Sequence, residues 1–280
     1  SKFIRFESGM NVNYNELNEI TIENNGFYQV ENITVKRAQT SLEPNLKYVS
    51  DHTYWKNNTI AGYRNSIEYL YSYKVLPYDR LNSSLEGWSF NRLMVDNRYY
   101  APLFNGVTFA FRLYGGTTWN WTNKVNMSDE NKFYLGGSPC VGFSDDCNVS
   151  IPIQMMFDEE SVMPLRGVDI YSKSGYNVVL TNLELRLPFL VYYFPAIKFL
   201  GQINGAIFCD IGTTWNGEYE KFLNPNNWET NNSENLRNTG WAMSYGFGPR
   251  FIFLGLPWQI DFTWEYNPHI GTISNRKTFV

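Results

Sequence analysis

Between Ala61 and Val75 the odd-numbered residues Ala61, Tyr63, Ile67, Tyr69, Tyr71, Tyr73 and Val75 are apolar or aromatic, with Gly62, Arg64, Ser66, Glu68, Ser72 and Lys74 between them. Side chains alternate across a strand, so this stretch is one strand with an apolar face and a charged face. Few folds accept a strand of that length and polarity. Strands in soluble sheets are typically about 5–6 residues long. A strand that crosses lipid uses about 9–11 residues and often continues beyond the membrane.

The same alternation recurs downstream. Val107, Phe109, Phe111 and Leu113 oppose Thr108, Ala110, Arg112 and Tyr114. Val179, Leu183, Leu185, Leu187 and Phe189 oppose Asn182, Glu184 and Arg186, and Ile203, Ile207, Cys209 and Ile211 oppose Gln202, Asn204 and Asp210. Trp241, Met243, Tyr245 and Phe247 alternate with Ala242, Ser244, Gly246 and Gly248; a last strand sets Ile260, Phe262, Trp264 and Tyr266 against Asp261, Thr263 and Glu265. At the N-terminus the even positions Ile4, Phe6, Met10 and Val12 carry the apolar face. After it, separate strands are expected over Ile20–Glu23, Phe27–Val35 and Leu46–Trp55, broken by Asn-rich turns, and one more around Leu85–Val95. No helical periodicity of useful length is found. The pattern predicts an all-β, antiparallel transmembrane β-barrel, with about twelve or thirteen strands visible and the odd residues of the strands around 61–75, 107–113, 179–189, 203–213 and 241–247 facing lipid.

Composition narrows the function classes. Tyr and Phe at 20 each and 9 Trp give an aromatic share of 18%, as large as the charged share, which suits strands and the water–lipid boundary. A net charge of −4 and the lack of any Lys/Arg cluster argue against nucleic acid. The longest apolar run, Leu187 to Pro195, is broken by proline and far short of the roughly 18 residues of a spanning helix. Ser1-Lys2-Phe3-Ile4-Arg5 does not look like a signal peptide, so the signal of an exported protein is expected upstream or removed. The three cysteines match no zinc spacing, and no metal or cofactor is expected. Cys140 and Cys147 bracket a polar segment and either close a small ring in an oxidising compartment or stay free thiols; Cys209 sits mid-strand as a small hydrophobe. Asp51-His52 invites a hydrolytic reading. The other histidine, His269, lies in a loop near the end and no Gly-x-Ser-x-Gly elbow occurs, so no enzyme is expected.

Ser138 to Met163 is a polar insertion of a length that is rare unless functional or disordered. It leads into Pro164-Leu165-Arg166-Gly167, and each of the next two strands carries one carboxylate on its less apolar face, Glu184 and Asp210. An arginine held against two carboxylates inside a barrel would pin that loop within the lumen. Burying such a cluster costs desolvation, so it serves better as a position lock than as a source of net stability.

Phe133-Tyr134-Leu135-Gly136-Gly137, Leu165-Arg166-Gly167, Leu183 to Phe189 and Phe208-Cys209-Asp210-Ile211-Gly212-Thr213-Thr214-Trp215 follow one another in an order that resembles the BamA-type outer-membrane assembly superfamily, or bacterial surface antigen family. Gly246 to Arg250 and Leu256 to Phe262 look like that family's penultimate strands. Asp51 to Trp55 with Asp96 to Tyr100 is similar, more weakly, to members fused to TolB-like propellers. The resemblance spans roughly residues 45 to 280. It implies a barrel of about sixteen strands when complete, in the bacterial outer membrane; either 1–280 is the C-terminal part of a longer protein, with the first barrel strands and the last few residues outside it, or the barrel is a smaller one. It also implies a long extracellular loop, 136–176, folding into the lumen, where Arg166 and Gly167 are anchored by Glu184 and Asp210. The implied role is insertion, assembly or translocation of proteins, with the bilayer, client outer-membrane proteins and accessory subunits as partners. A passive channel or surface-binding barrel is the alternative. Three departures stand out: the insertion Ser138 to Met163, Val168 where the family has an aromatic residue, and no periplasmic substrate-binding repeats, with an end at Phe279-Val280 that looks cut short.

Overall fold

A computed structural model describes residues 3–24, 28–56, 59–78, 89–104, 106–120, 131–136, 162–168, 173–188, 204–217, 241–253, 256–267, 272–273 and 277–279. Their secondary structure is almost wholly strand: β1 (Phe3–Asn24), β2 (Tyr28–Asp51), β3 (Tyr54–Lys56), β4 (Thr59–Tyr78), β5 (Phe90–Pro102), β6 (Thr108–Trp119), β7 (Phe133–Gly136), β8 (Val162–Pro164), β9 (Lys173–Gly175), β10 (Asn177–Leu187), β11 (Asn204–Trp215), β12 (Ala242–Phe253), β13 (Leu256–Gln259), β14 (Asp261–Asn267), β15 (Thr272–Ile273) and β16 (Lys277–Phe279).

Thirteen of these segments form one sheet, ordered β1-β2-β4-β5-β6-β10-β11-β12-β14-β15, with β3 on β4, β13 on β12 and β16 on β14. Every pair in it is antiparallel. Several short segments continue a neighbour rather than add a strand. Arg250 pairs with Gln259 and Phe247 with Phe262, so β13 and β14 run along β12 in one register, and between them the Ile260 N–H donates to the Pro249 carbonyl at 3.2 Å. The path is therefore a wall of ten strands in a neighbour-to-neighbour meander. No pairing among the described residues joins β1 to β15 or β16.

The wall has one apolar face and one polar face, as period two requires. On β4, β5, β6, β11 and β12 the exposed large side chains are Tyr63, Ile67, Tyr73, Tyr99, Leu113, Ile207, Tyr245 and Phe247, all odd. On β1 and β2 the exposed set is even apart from the terminal Phe3, namely Ile4, Phe6, Met10, Val12 and Leu46, yet it belongs to the same face because Phe6 pairs with Tyr48 and Tyr48 with Ile67. Cross-strand rings knit that face: Phe247 lies 5.5 Å from Phe262 and Tyr245 5.9 Å from Trp264.

Three local expectations change. Residues 20–55 do not form three short strands; they complete two strands of 22 and 24 residues and the stub β3. Register shifts between Leu17 and Asn18 and between Thr21 and Ile22 break the alternation there. A strand of 22 residues is about 70 Å long, well past the length of a bilayer crossing. Of the strand expected around Leu85–Val95, residues 85–88 lie outside the described residues, and the described strand starts at Phe90 and runs on to Pro102. Ala61 and Val107, expected on the open apolar face, are buried at strand ends, Ala61 opposite Tyr54 of β3 and Val107 in a turn where its N–H donates to Phe104.

The other face of the wall is covered. Segments β7, β8 and β9 form a separate three-stranded sheet ordered β8-β7-β9, with β7–β8 parallel and β7–β9 antiparallel. Its Phe133 and Leu135, with Leu165 and Val168 just beyond β8, pack with Tyr114, Val178, Leu180 and Ala242 of the wall into one buried cluster. Gly116 makes this close approach possible, since a Cβ there would lie 2.6 Å from Phe133 Cζ. Cys140 and Cys147 lie outside the described residues; Cys209 is a free thiol on β11.

Candidate functional site

The small sheet delivers one turn to the covered face. Leu165 N–H donates to the Gly136 carbonyl at 2.8 Å and Val168 N–H to the Leu165 carbonyl at 3.3 Å, while the side chains of Leu165 and Val168 are fully buried. Held on both sides, Arg166 has little choice of direction. Gly167 follows with φ of 86°, a left-handed conformation that costs a residue with a Cβ.

Arg166 reaches two neighbouring strands of the wall. Its Nε donates to Asp210 Oδ2 at 2.7 Å and Nη2 to Asp210 Oδ1 at 2.8 Å, a bidentate fork. The Arg166 backbone N–H adds a third bond to Asp210 Oδ2 at 3.2 Å. Nη1 donates to Glu184 Oε2 at 2.8 Å, and Arg186 Nε donates to the other Glu184 oxygen at 2.8 Å. The register explains the convergence: Asn182 pairs with Asp210 and Glu184 with Phe208, so the two carboxylates sit diagonally on one face of adjacent strands. Phe208 completes the seat, its ring centre 3.7 Å from the guanidinium carbon. Burial alone would lower the Arg166 pKa; its hydrogen bonds and proximity to Asp210 and Glu184 more than offset that and hold it above its ordinary value.

Sequence reasoning named Arg166, Gly167, Glu184 and Asp210, and these four are brought together. It missed Phe208, the one aromatic among the even residues of β11, whose ring fits because Gly246 opposite leaves it room: a Cβ there would lie 2.7 Å from Phe208 Cζ. It also missed a second cluster on the same face. Arg98 and Arg112 are direct cross-strand partners, a like-charge pairing that is unfavourable unless a carboxylate intervenes. Asp96 does so, accepting from Arg98 Nη2 at 2.7 Å and from Arg112 Nε and Nη2 at 3.0 and 2.9 Å. The shared parity of Asp96, Arg98 and Arg112 was the available signal. Lys173 of β9 is likewise buried; burial pushes its pKa down, with Glu265 acting against that.

Asp51 and His52 are not engaged with each other. Asp51 Oδ1 accepts from the backbone N–H and hydroxyl of Thr53 at 2.9 and 2.6 Å. His52 lies within 3.3 Å of the Ser50 hydroxyl through Nδ1 and stacks on Tyr63 at 4.7 Å. Among the described residues no three His, Cys, Asp or Glu side chains converge as a metal site.

A ten-strand antiparallel meander, apolar on one face and charged on the other, with a loop arginine forked onto adjacent strands, agrees with what a family comparison finds: residues 1–276 match the Omp85 superfamily domain. The chain belongs to the Omp85 superfamily. Its wall is that of an outer-membrane β-barrel of this superfamily. Among solved structures it is similar to BamA from Haemophilus ducreyi lacking POTRA domains 1–3, with a TM-score of 0.61 over 99% of this chain at 13% identity. The match covers 51% of that protein, so this Omp85 chain spans about half the length of the BamA structure it resembles. No curated protein matches the sequence.

Proposed function

We propose that this chain is the barrel-forming part of an Omp85 protein that inserts or translocates other proteins at the bacterial outer membrane. In this reading the wall's open apolar face meets lipid, its covered face lines the lumen, and the segment 136–176 is an extracellular loop turned inward. Arg166, with Gly167 allowing the turn, anchors that loop to Glu184 and Asp210. The observation that carries the reading is the Arg166 fork itself, three bonds to Asp210 and one to Glu184 across two adjacent strands. An ion cluster so nearly buried is a poor source of stability and a good device for fixing one loop position. The partners implied are the bilayer, client outer-membrane proteins and accessory subunits, with no catalysis by the chain.

The direct test is assembly of an outer-membrane client in liposomes holding the full-length protein. Insertion by the natural protein and a fall of at least tenfold for Arg166→Ala are expected, and insertion at the empty-liposome rate would overturn the reading. Single-channel recording separates the alternative. A lumen occupied by the Arg166 loop gives small, irregular openings, whereas a large steady conductance would make the chain a passive channel. Orientation has its own prediction. Spin labels at Phe109, Leu185 and Ile207 should be relaxed by lipid-borne quenchers and shielded from water, while labels at Arg112 and Glu184 should not meet lipid. The reverse pattern would invert the two faces.

A further inference from the structure

On the open apolar face β4, β5 and β6 enclose a depression of about 440 Å³ lined by Tyr63, Asn65, Asn97, Arg98, Tyr99 and Phe111. The registers order these residues in layers. Tyr63 pairs with Tyr99 and Tyr99 with Phe111, three rings in one row near the strand ends away from the covering loop; Asn65 pairs with Asn97 in the next row inward, and Ile67 with Val95 beyond it. The one charge in the lining, Arg98, is already engaged, since Arg98 and Arg112 are both bound to Asp96. The carboxamides of Asn65 and Asn97 are different: among the described residues no side-chain hydrogen bond engages them, although they pair across β4 and β5 in a row that continues to Leu113 in the apolar belt. An amide facing hydrocarbon without a partner costs several kcal/mol on the scale of about 2–7.

We propose that this depression is a binding site for one glycerophospholipid with an ammonium head group. Each layer matches one part of such a molecule. The Tyr99 and Phe111 rings, beside a Tyr63 already stacked on His52, take the ammonium by cation–π contact at the water–lipid boundary, the Asn65 and Asn97 amides donate to the glycerol ester carbonyls and phosphate oxygens, and Leu113 with the Ile67 and Val95 row beyond takes an acyl chain. The guanidinium of Arg98, the one cation in the lining, is already neutralised by Asp96, so an anionic head group gains little that the zwitterionic one lacks. The proposal rests on the lipid-facing assignment of this face made above.

Native mass spectrometry of the detergent-solubilised full-length protein with added phosphatidylethanolamine tests it. One retained lipid is expected, with occupancy reduced at least fivefold in N65L/N97L and in Tyr99→Ala, unchanged in the control Thr181→Leu on the same face, and at least threefold lower when phosphatidylglycerol replaces phosphatidylethanolamine. Leucine in place of asparagine suits a lipid-facing strand, and heat-dependent gel migration verifies that each variant is folded. Equal occupancy in the natural protein and N65L/N97L, or equal retention of the two lipids, would overturn the site. Water-exposed labels at Phe109, Leu185 and Ile207 would remove the lipid-facing assignment and this site together, whereas shielded labels with unchanged retention would remove this site alone.

Discussion

Arg166→Ala is expected to leave the ten-strand wall folded while releasing the turn at 165–168, at a local cost of about 3–5 kcal/mol. The wall is held by its own backbone ladders, and β10 to β11 alone runs in register from Asn177↔Trp215 to Leu187↔Gly205, so its assembly does not depend on the arginine. The turn has no such ladder. Removing the guanidinium leaves Asp210, which is fully buried, beside Glu184 with neither its fork nor a counter-ion. Asp210→Asn should resemble Arg166→Ala, because Arg166 makes three bonds to Asp210; Glu184→Gln should cost less, because Arg166 gives that residue one bond and Arg186 supplies the other. The double variant Arg166→Ala/Asp210→Asn should be little worse than either single change, since both remove one interaction. Protease cleavage between Gly136 and Lys173, with thermal unfolding of the wall, reads the two levels separately. Full additivity would mean that the arginine and the aspartate do not act as a pair.

The strands from β10 to β12 were legible because an apolar surface on one side and polar groups on the other force strict alternation, and a one-residue slip would reverse every side chain. That same parity put Glu184 and Asp210 on one face before any coordinates. It could not supply the diagonal offset Glu184↔Phe208 and Asn182↔Asp210, which decides that one guanidinium spans both. The first two strands were misread where bulges after Leu17 and Thr21 shift the register and where their length exceeds any membrane. The small sheet was not legible at all. Strands of three or four residues such as β7 and β8 show no period, and their parallel pairing, Tyr134↔Val162 and Leu135↔Met163, joins residues on either side of the long insertion. Its apolar residues Phe133, Leu135, Leu165 and Val168 read as scattered loop positions until the wall provides their partners.

Gly167→Ala is expected to undock the same turn without touching a charge, by about 2–5 kcal/mol in total. Two costs combine. A φ of 86° is strained for any residue with a Cβ, worth about 1–2 kcal/mol. The added methyl would also stand 2.8 Å from Thr263 Cβ and 2.9 Å from its Oγ1, against a side chain that is fully buried and cannot withdraw, and overpacking of that kind costs about 1–3 kcal/mol. Gly217 separates the two, because it shares a positive φ of 76° but has nothing within 4 Å of the position a Cβ would take. Gly217→Ala should therefore show the conformational cost alone and leave cleavage between Gly136 and Lys173 unchanged, whereas Gly167→Ala should raise cleavage toward the level of Arg166→Ala. Gly167→Ala should also weaken the Arg166 fork indirectly, because Leu165, Arg166 and Val168 are seated by one turn. Combined with Arg166→Ala it should then add little. Equal behaviour of the two glycine variants would show that strain, not contact with Thr263, governs the turn, and a fully additive Gly167→Ala/Arg166→Ala pair would mean that the turn and the ion cluster are held independently.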